Sequence, residues 1–432
     1  MNEFYSFSIR IFDEQMFLFL MSASLILFVH YLVLKRQIYS YLDPLSLFVV
    51  FNSFAMVTVF FVAFFKEDVT LFLDIVFFNL CFFLPGIMLK PIKLNNYRRA
   101  LSYQFSQPEY IFFTINSSIF ILCTIFVWYV KGIPLFSENP SAAKVIIYQN
   151  GFGIVRYIHF ILPIYLTMYS FLRLIKNEGK KLSVQNLFSI FVLFFCFIFF
   201  IFSSAKTSIL WALFSIAFIN KVYPDTKFHN IINKAQLFLF IFSIIIMFLV
   251  FFLSDNKVGN DLLSRLATLL GVRMLASGDA LYFWYNFDLS SKMSSINIIE
   301  YLLSPLAGMF GISKHEYSLG VIAMNVATGF PLGEFGPNAQ LPVVLGLGFG
   351  PFRFFIAFLA GFLLFYFRNN FHNVIIKFGG GGMILFSLVF FYATFIYIDV
   401  IYFLSMLYVF LLIFAPIYCL YNLVHFSFKK VI

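Results

Sequence analysis

The chain has 432 residues, of which 62% are hydrophobic, 22% aromatic and only 11% charged, with a formal net charge of +10. A soluble domain of this length carries roughly a quarter charged residues, so the composition excludes a soluble fold; no nucleic-acid partner and no cofactor is expected. The apolar residues come in runs of about twenty, the length that crosses a ~30 Å hydrocarbon core as helix, not in the ~10-residue alternating segments of a membrane barrel.

Residues 1–14 are polar and the first apolar run is full length, so no cleavable signal peptide is predicted. Spans are predicted at 15–34, 45–65, 70–89, 110–130, 154–175, 184–202, 207–220, 235–254, 342–367, 382–398 and 400–421. The expected fold is an all-α polytopic membrane protein of about eleven transmembrane helices, within a range of ten to fourteen. It forms one integral membrane domain over 1–432. Cys81, Cys123, Cys196 and Cys419 each lie inside an apolar run, where Cys packs as a small hydrophobe. The six histidines are scattered, and no spacing suggests a metal site.

Orientation follows from the Lys/Arg bias of the loops. One alternating set carries Lys35, Arg36, Lys90, Lys93, Arg98, Arg99, Arg173, Lys176, Lys180 and Lys181. It continues with Lys221, Lys227, Lys234, Arg368, Lys377, Lys429 and Lys430. These seventeen of the 29 basic residues mark the cytoplasmic side. The C-terminus is then inside and, with eleven spans, the N-terminus outside. The outer side holds a loop at 131–153 and a long stretch at 255–341. Loops this long are usually functional. Within the second, 261–277 reads as an amphipathic helix ending at Ser277-Gly278. The stretch 296–312 is apolar but broken by Pro305, Gly308 and Gly311, as an interfacial or re-entrant segment would be. No internal repeat is visible, which weighs against transporter folds.

The outer side is unusually basic for translocated loops. Lys144, Arg156, Lys206, Arg265, Arg273 and Arg353 are candidates for binding a lipid pyrophosphate, Arg through its two-pronged fork and Lys as a point charge. Each also has an ordinary reading. Arg156, Lys206 and Arg353 sit where basic side chains reach for headgroups, and Lys144 sits on a solvated loop. Arg265 has Asp261 one turn earlier as an i,i+4 partner. Arg273 has no acid at i−4 and lies about 80° around the helix from Arg265, so both can face one cavity. Asp279, just past the helix break, is the first candidate general base, with helix capping as its alternative. Glu334, in the Gly/Pro-rich segment 329–342, is the second, and His315 the third. His159 shares a face with Arg156 and reads as a packed core residue.

At these residues the sequence resembles a family. The segment GIPLFSENPSAAK (132–144) followed by Arg156, the SSAK turn (203–206), Arg273 with SGDALYFW (277–284), and GPNAQLPVVLGLGFG (336–350) are similar to segments of bacterial oligosaccharide repeat-unit polymerases, the Wzy-type O-antigen polymerases. The likeness is spread over residues 130–365. Lys144 stands where the resemblance implies Arg. What it implies is a metal-independent glycosyltransferase with a GT-C-like fold, set in the bacterial inner membrane with its site facing the periplasm. Such an enzyme moves the growing glycan from undecaprenyl pyrophosphate onto the non-reducing end of a lipid-linked repeat unit. Gly336, Pro337 and Asn338 would belong to a substrate loop. Partners would be the lipid-linked oligosaccharide and polymer, membrane lipids and a chain-length regulator. An O-antigen ligase and a lipid-linked oligosaccharide flippase are the alternatives.

Overall fold

In the computed structural model the described residues are 2–102, 104, 106–140, 143, 146–148, 152–178, 183–203, 208–227, 229–235, 238, 271–293, 296–310, 312, 319–329, 337–338 and 340–431. Among them every regular element is helical, and nine helices are long and apolar enough to cross a membrane. A short helix, α1 (Asn2–Glu14), precedes them where the sequence suggested only a polar N-terminus. The crossing candidates begin with α2 (Met16–Leu34), α3 (Pro44–Lys66) and α4 (Val69–Met88). A short amphipathic α5 (Leu94–Ser102) leads to α6 (Gln107–Lys131), α7 (Gly153–Lys176) and α8 (Val184–Phe202). These six helices fall on the first six predicted spans. The seventh is α9 (Ser208–Val222), only 15 residues long, and the eighth, 235–254, lies almost wholly outside the described residues.

Local chemistry sets several of these boundaries. Asp43 caps α3 by accepting from the Leu45 N–H at 2.8 Å, with Pro44 at the first helical position, where the missing donor costs nothing. Asp68 caps α4 in the same way from Thr70 N at 3.0 Å. Between them Glu67 takes a left-handed conformation, φ 57°, so the chain reverses within two residues.

After Asn286 the chain forms α11 (Ile298–Met309) and α12 (Leu319–Thr328), with α10 (Asp279–Asn286) before them. Then come α13 (Leu341–Phe349), α14 (Arg353–Asn370), α15 (His372–Phe391) and α16 (Val400–Leu423). The apolar run 342–367 reads as one crossing in the sequence, but Gly350–Phe352 form a turn that splits it. Past that turn, Arg353 pairs with Asp74 near the start of α4, and Asn369 donates to the Lys90 carbonyl beyond its end. So α14 runs the length of α4 and is the crossing element. Before the turn, Gln340 reaches Ser277 and Gly346 packs on Trp284. Helix α13 therefore rises from within the bundle beside α10.

The segment 271–286 is sunk in the same way. The Thr58 hydroxyl donates to the Leu275 carbonyl at 2.9 Å and the Ser277 hydroxyl to the Phe51 carbonyl at 3.0 Å. At the other end, the Lys66 ammonium donates to the carbonyls of Tyr285 and Asn286 at 3.1 and 2.6 Å. Phe51 and Lys66 are fifteen residues apart on one helix, about 22 Å. The break Ser277-Gly278 thus presses against the middle of α3, and α10 climbs back to its end. The sequence assigned this stretch to the outer side; the described residues 271–286 pack along α3. Backbone at that depth is tolerable because the carbonyls meet hydroxyl and ammonium donors. Phe4 and Phe7 of α1 cover it, their rings 5.3 and 4.6 Å from Tyr282.

The basic ends of the helices are tied by a buried knot. Arg368, 2% exposed, pairs with the fully buried Asp43, and its guanidinium stands 4.5 Å over the Phe390 ring. The Tyr97 hydroxyl donates to the Arg368 carbonyl at 2.6 Å, and Gln37 to that of Gly86 at 2.7 Å. Arg368 was expected in a loop; it is a core residue. Helix α15 kinks at Gly379, φ 48°, and the Gly380 N–H freed by the kink donates to the Glu109 carboxylate at 2.6 Å. The part before the kink occupies the predicted loop 368–381.

Candidate functional site

Three groups of charged side chains stand away from the basic end. The first is at the break pressed into α3. Asp279 opens α10, and its Oδ1 accepts from the Ala280 N–H at 2.7 Å. Burial pushes its carboxyl up to about 7, against the pull of the Ala280 N–H and of the Arg273 guanidinium. Arg273 lies on the helical turn 271–275 with its side chain exposed, yet within the field of Asp279. Above them Gln340, 3% exposed, donates through Nε2 to the Ser277 carbonyl, while its Oε1 has no partner among the described residues. Gly320 abuts the Pro337 carbonyl. Gln340 thus meets the break carrying Asp279, while Pro337, three residues earlier, packs on Gly320 of α12, and two segments some sixty residues apart in sequence are joined.

The second group is closed. Arg353 is ion-paired with Asp74, and Tyr285 donates to the other Asp74 oxygen at 2.7 Å. Both charged side chains are only 22–23% exposed. Arg353 was a candidate anion ligand; one nitrogen of its guanidinium is paired with Asp74, while its Nε has no partner among the described residues, and the pair ties α14 to α4 and, through Tyr285, to α10.

The third group surrounds Arg156, the fourth residue of α7, whose guanidinium stands 5.7 Å over the Phe160 ring. Among the described residues no carboxylate lies within 4 Å of it. His159 is buried, as the sequence suggested, with Nε2 3.1 Å from the Thr124 hydroxyl and Nδ1 2.8 Å from that of Tyr148.

Arg273 and Asp279 thus lie within electrostatic reach of each other, and Gln340, from the segment that carries Pro337 and Asn338, meets Ser277 between them in sequence. Arg156 packs in a different apolar cluster. Lys144, Lys206, Arg265, His315, Glu334 and Gly336 lie outside the described residues. Sequence reasoning passed over Asp74, Asp399 and Gln340. The signal for the first two was present: a lone acid in or beside a long apolar run is expensive and asks for a partner. Among the described residues no group of three or more His, Cys, Asp or Glu is placed to hold a metal ion. Compared with protein-family models, with curated proteins and with solved structures, the chain matches none.

Proposed function

We propose that the chain is a repeat-unit polymerase of the bacterial inner membrane, a GT-C-like glycosyltransferase working at the periplasmic face. Adding α9 and the apolar stretch 235–254 to the nine long helices gives the eleven crossings of this reading. The observation that supports it most is the meeting of Ser277–Asp279 with Gln340, because the segments 277–284 and 336–350 are two of those that resemble the family. A carboxylate beside a guanidinium at that meeting point suits transfer from a lipid pyrophosphate. Arg273 steadies the negative charge that grows on the leaving pyrophosphate. Asp279 takes the proton of the acceptor hydroxyl as that oxygen bonds to the anomeric carbon. The bond from that carbon to the pyrophosphate oxygen breaks, and undecaprenyl pyrophosphate leaves with the electron pair. A carboxyl held near 7 is a stronger base than an ordinary one and still half ionised at neutral pH.

The test is a ladder of products from purified protein and undecaprenyl-pyrophosphate-linked repeat units. Wild type should extend them, and Asp279→Asn and Arg273→Ala should not, with both variants folded. No ladder from folded wild-type protein overturns the proposal. Glycan profiles of a deletion strain separate the neighbours: single capping units for a lost polymerase, unattached polymer for a lost ligase, and no exported glycan for a lost flippase.

A further inference from the structure

At the ends of α2 and α4 assigned to the cytoplasm the chain makes two basic turns. Lys35 and Arg36 follow α2; Lys90 and Lys93 follow α4, with Pro91 and Ile92 between them. All four side chains are exposed. Gln37, itself buried, binds the two turns together. Its Nε2 donates to the Gly86 carbonyl at 2.7 Å and to that of Leu89 at 3.1 Å. Its Oε1 accepts from Asn369 Nδ2 at 3.2 Å, and the same Nδ2 donates to the Lys90 carbonyl. Its own carbonyl accepts from Arg368 at 3.3 Å. Arg36 adjoins Gln37 and Lys90 adjoins Leu89, so the basic turns stand one buried side chain apart.

No acid offsets this charge. The neighbouring segments 31–42, 84–106 and 361–378 contain no Asp or Glu. Asp43, next in sequence, is fully buried and paired with Arg368. Among the described residues no carboxylate lies within 4 Å of any of the four cations. Arg98 of α5, by contrast, is paired with Asp225 at 2.6 Å. The bias of inner loops toward Lys and Arg accounts for the sign of these charges. It does not account for buried ties that draw them together, where they repel one another. On the membrane side of the cations the surface turns apolar. Tyr31 and Leu32 on the last turn of α2, and Ile87 and Met88 on the last turn of α4, are all exposed.

An exposed cationic patch above an exposed apolar shelf matches an anion that carries acyl chains. A water-soluble anion would engage only the upper half of this surface. The cations are divided between two turns, each able to take one phosphate, so two phosphates spaced by a glycerol fit better than a single one. We propose that Lys35, Arg36, Lys90 and Lys93 form a seat for a cardiolipin-type phospholipid of the cytoplasmic leaflet, its acyl chains lying along Leu32, Ile87 and Met88. The seat does not depend on the polymerase reading.

The test is native mass spectrometry of the purified full chain in a mild non-ionic detergent, titrated with cardiolipin, phosphatidylcholine or inorganic pyrophosphate. Wild type should hold cardiolipin a hundredfold or so more tightly than phosphatidylcholine, at about fivefold per basic residue near an anionic headgroup. Two double variants, Lys35→Gln with Arg36→Gln and Lys90→Gln with Lys93→Gln, should each lose about twenty-five-fold on the same scale. The substituted side chains are exposed, so both variants should melt with wild type in phosphatidylcholine nanodiscs. Lys227→Gln with Lys234→Gln, past the end of α9 on the same side, should bind cardiolipin as wild type does. Wild-type affinity in both patch variants, or an equal loss in the Lys227 and Lys234 control, overturns the seat, the latter because it shows diffuse attraction. Pyrophosphate bound as tightly as cardiolipin overturns it too, since the acyl chains would then add nothing.

Discussion

Asp279 shows how one residue's setting reverses a sequence-based objection. A carboxylate near arginines should be a weak base, since cations lower its pKa. In the fold burial outweighs Arg273, and the carboxyl rises to about 7. The sign of the pH effect follows. The working form is the ionised one, so polymerisation by wild type should fall about tenfold per pH unit below about 7. Asp279→Asn should be slow and flat over the same range. An acid limb that persists in Asp279→Asn would assign the titration to another group. Arg353 shows the opposite limit of legibility. Its partner Asp74 is 279 residues away, and nothing in the local sequence around Arg353 signals that its charge is spoken for. The isolated Asp74 was the readable half of the pair.

Among the elements, the long crossings were legible because length and hydropathy alone determine them. The sunken pieces were not, since an apolar run is compatible with either a crossing or a helix that enters and turns back. Gly350-Pro351 was the one local sign that 341–370 is two helices. The break at Ser277-Gly278 was read as a helix end, which it is, but its depth depends on contacts with α3 that no local pattern encodes. Gly278 is what permits that depth: a methyl there would lie 2.8 Å from the Ala55 Cα and 2.9 Å from its carbonyl oxygen. Neither backbone atom can swing aside. Gly278→Ala should therefore cost about 1–3 kcal/mol, the usual range for overpacking. It should displace Asp279 as well, so activity should drop further than the loss of melting temperature explains. Unchanged activity in Gly278→Ala would mean the close approach has no bearing on the site.

For the whole molecule, the charge bias of the loops predicted which helix ends share a side, and the described polar ties respect it. Asp43 with Arg368, Arg98 with Asp225 and Arg173 with Gln185 join ends assigned to the cytoplasm. Lys66 with Asn286 and Asp74 with Arg353 join ends assigned to the other side. Cysteines introduced at Asn96 and Asn260 should accordingly be labelled by a membrane-impermeant reagent from opposite faces, Asn96 from the cytoplasm. Labelling of both from one face would break the map. What the sequence could not supply was the interior: the knot around Arg368 and the tie of Asp74 to Arg353 and Tyr285 each draw on helices far apart in the chain.

The kink at Gly379 has a mechanical consequence for the interior. From Gly380 to Phe391 the helix advances only about 18 Å, well short of a ~30 Å hydrocarbon layer, and ten of its twelve residues are buried. Its end, Tyr392, is tied to the Phe160 carbonyl at 3.1 Å, seven residues or about 10 Å in from the start of α7. Neighbouring helices and not acyl chains enclose it, so a thicker or thinner host membrane strains the outer helices first and reaches this one only through them.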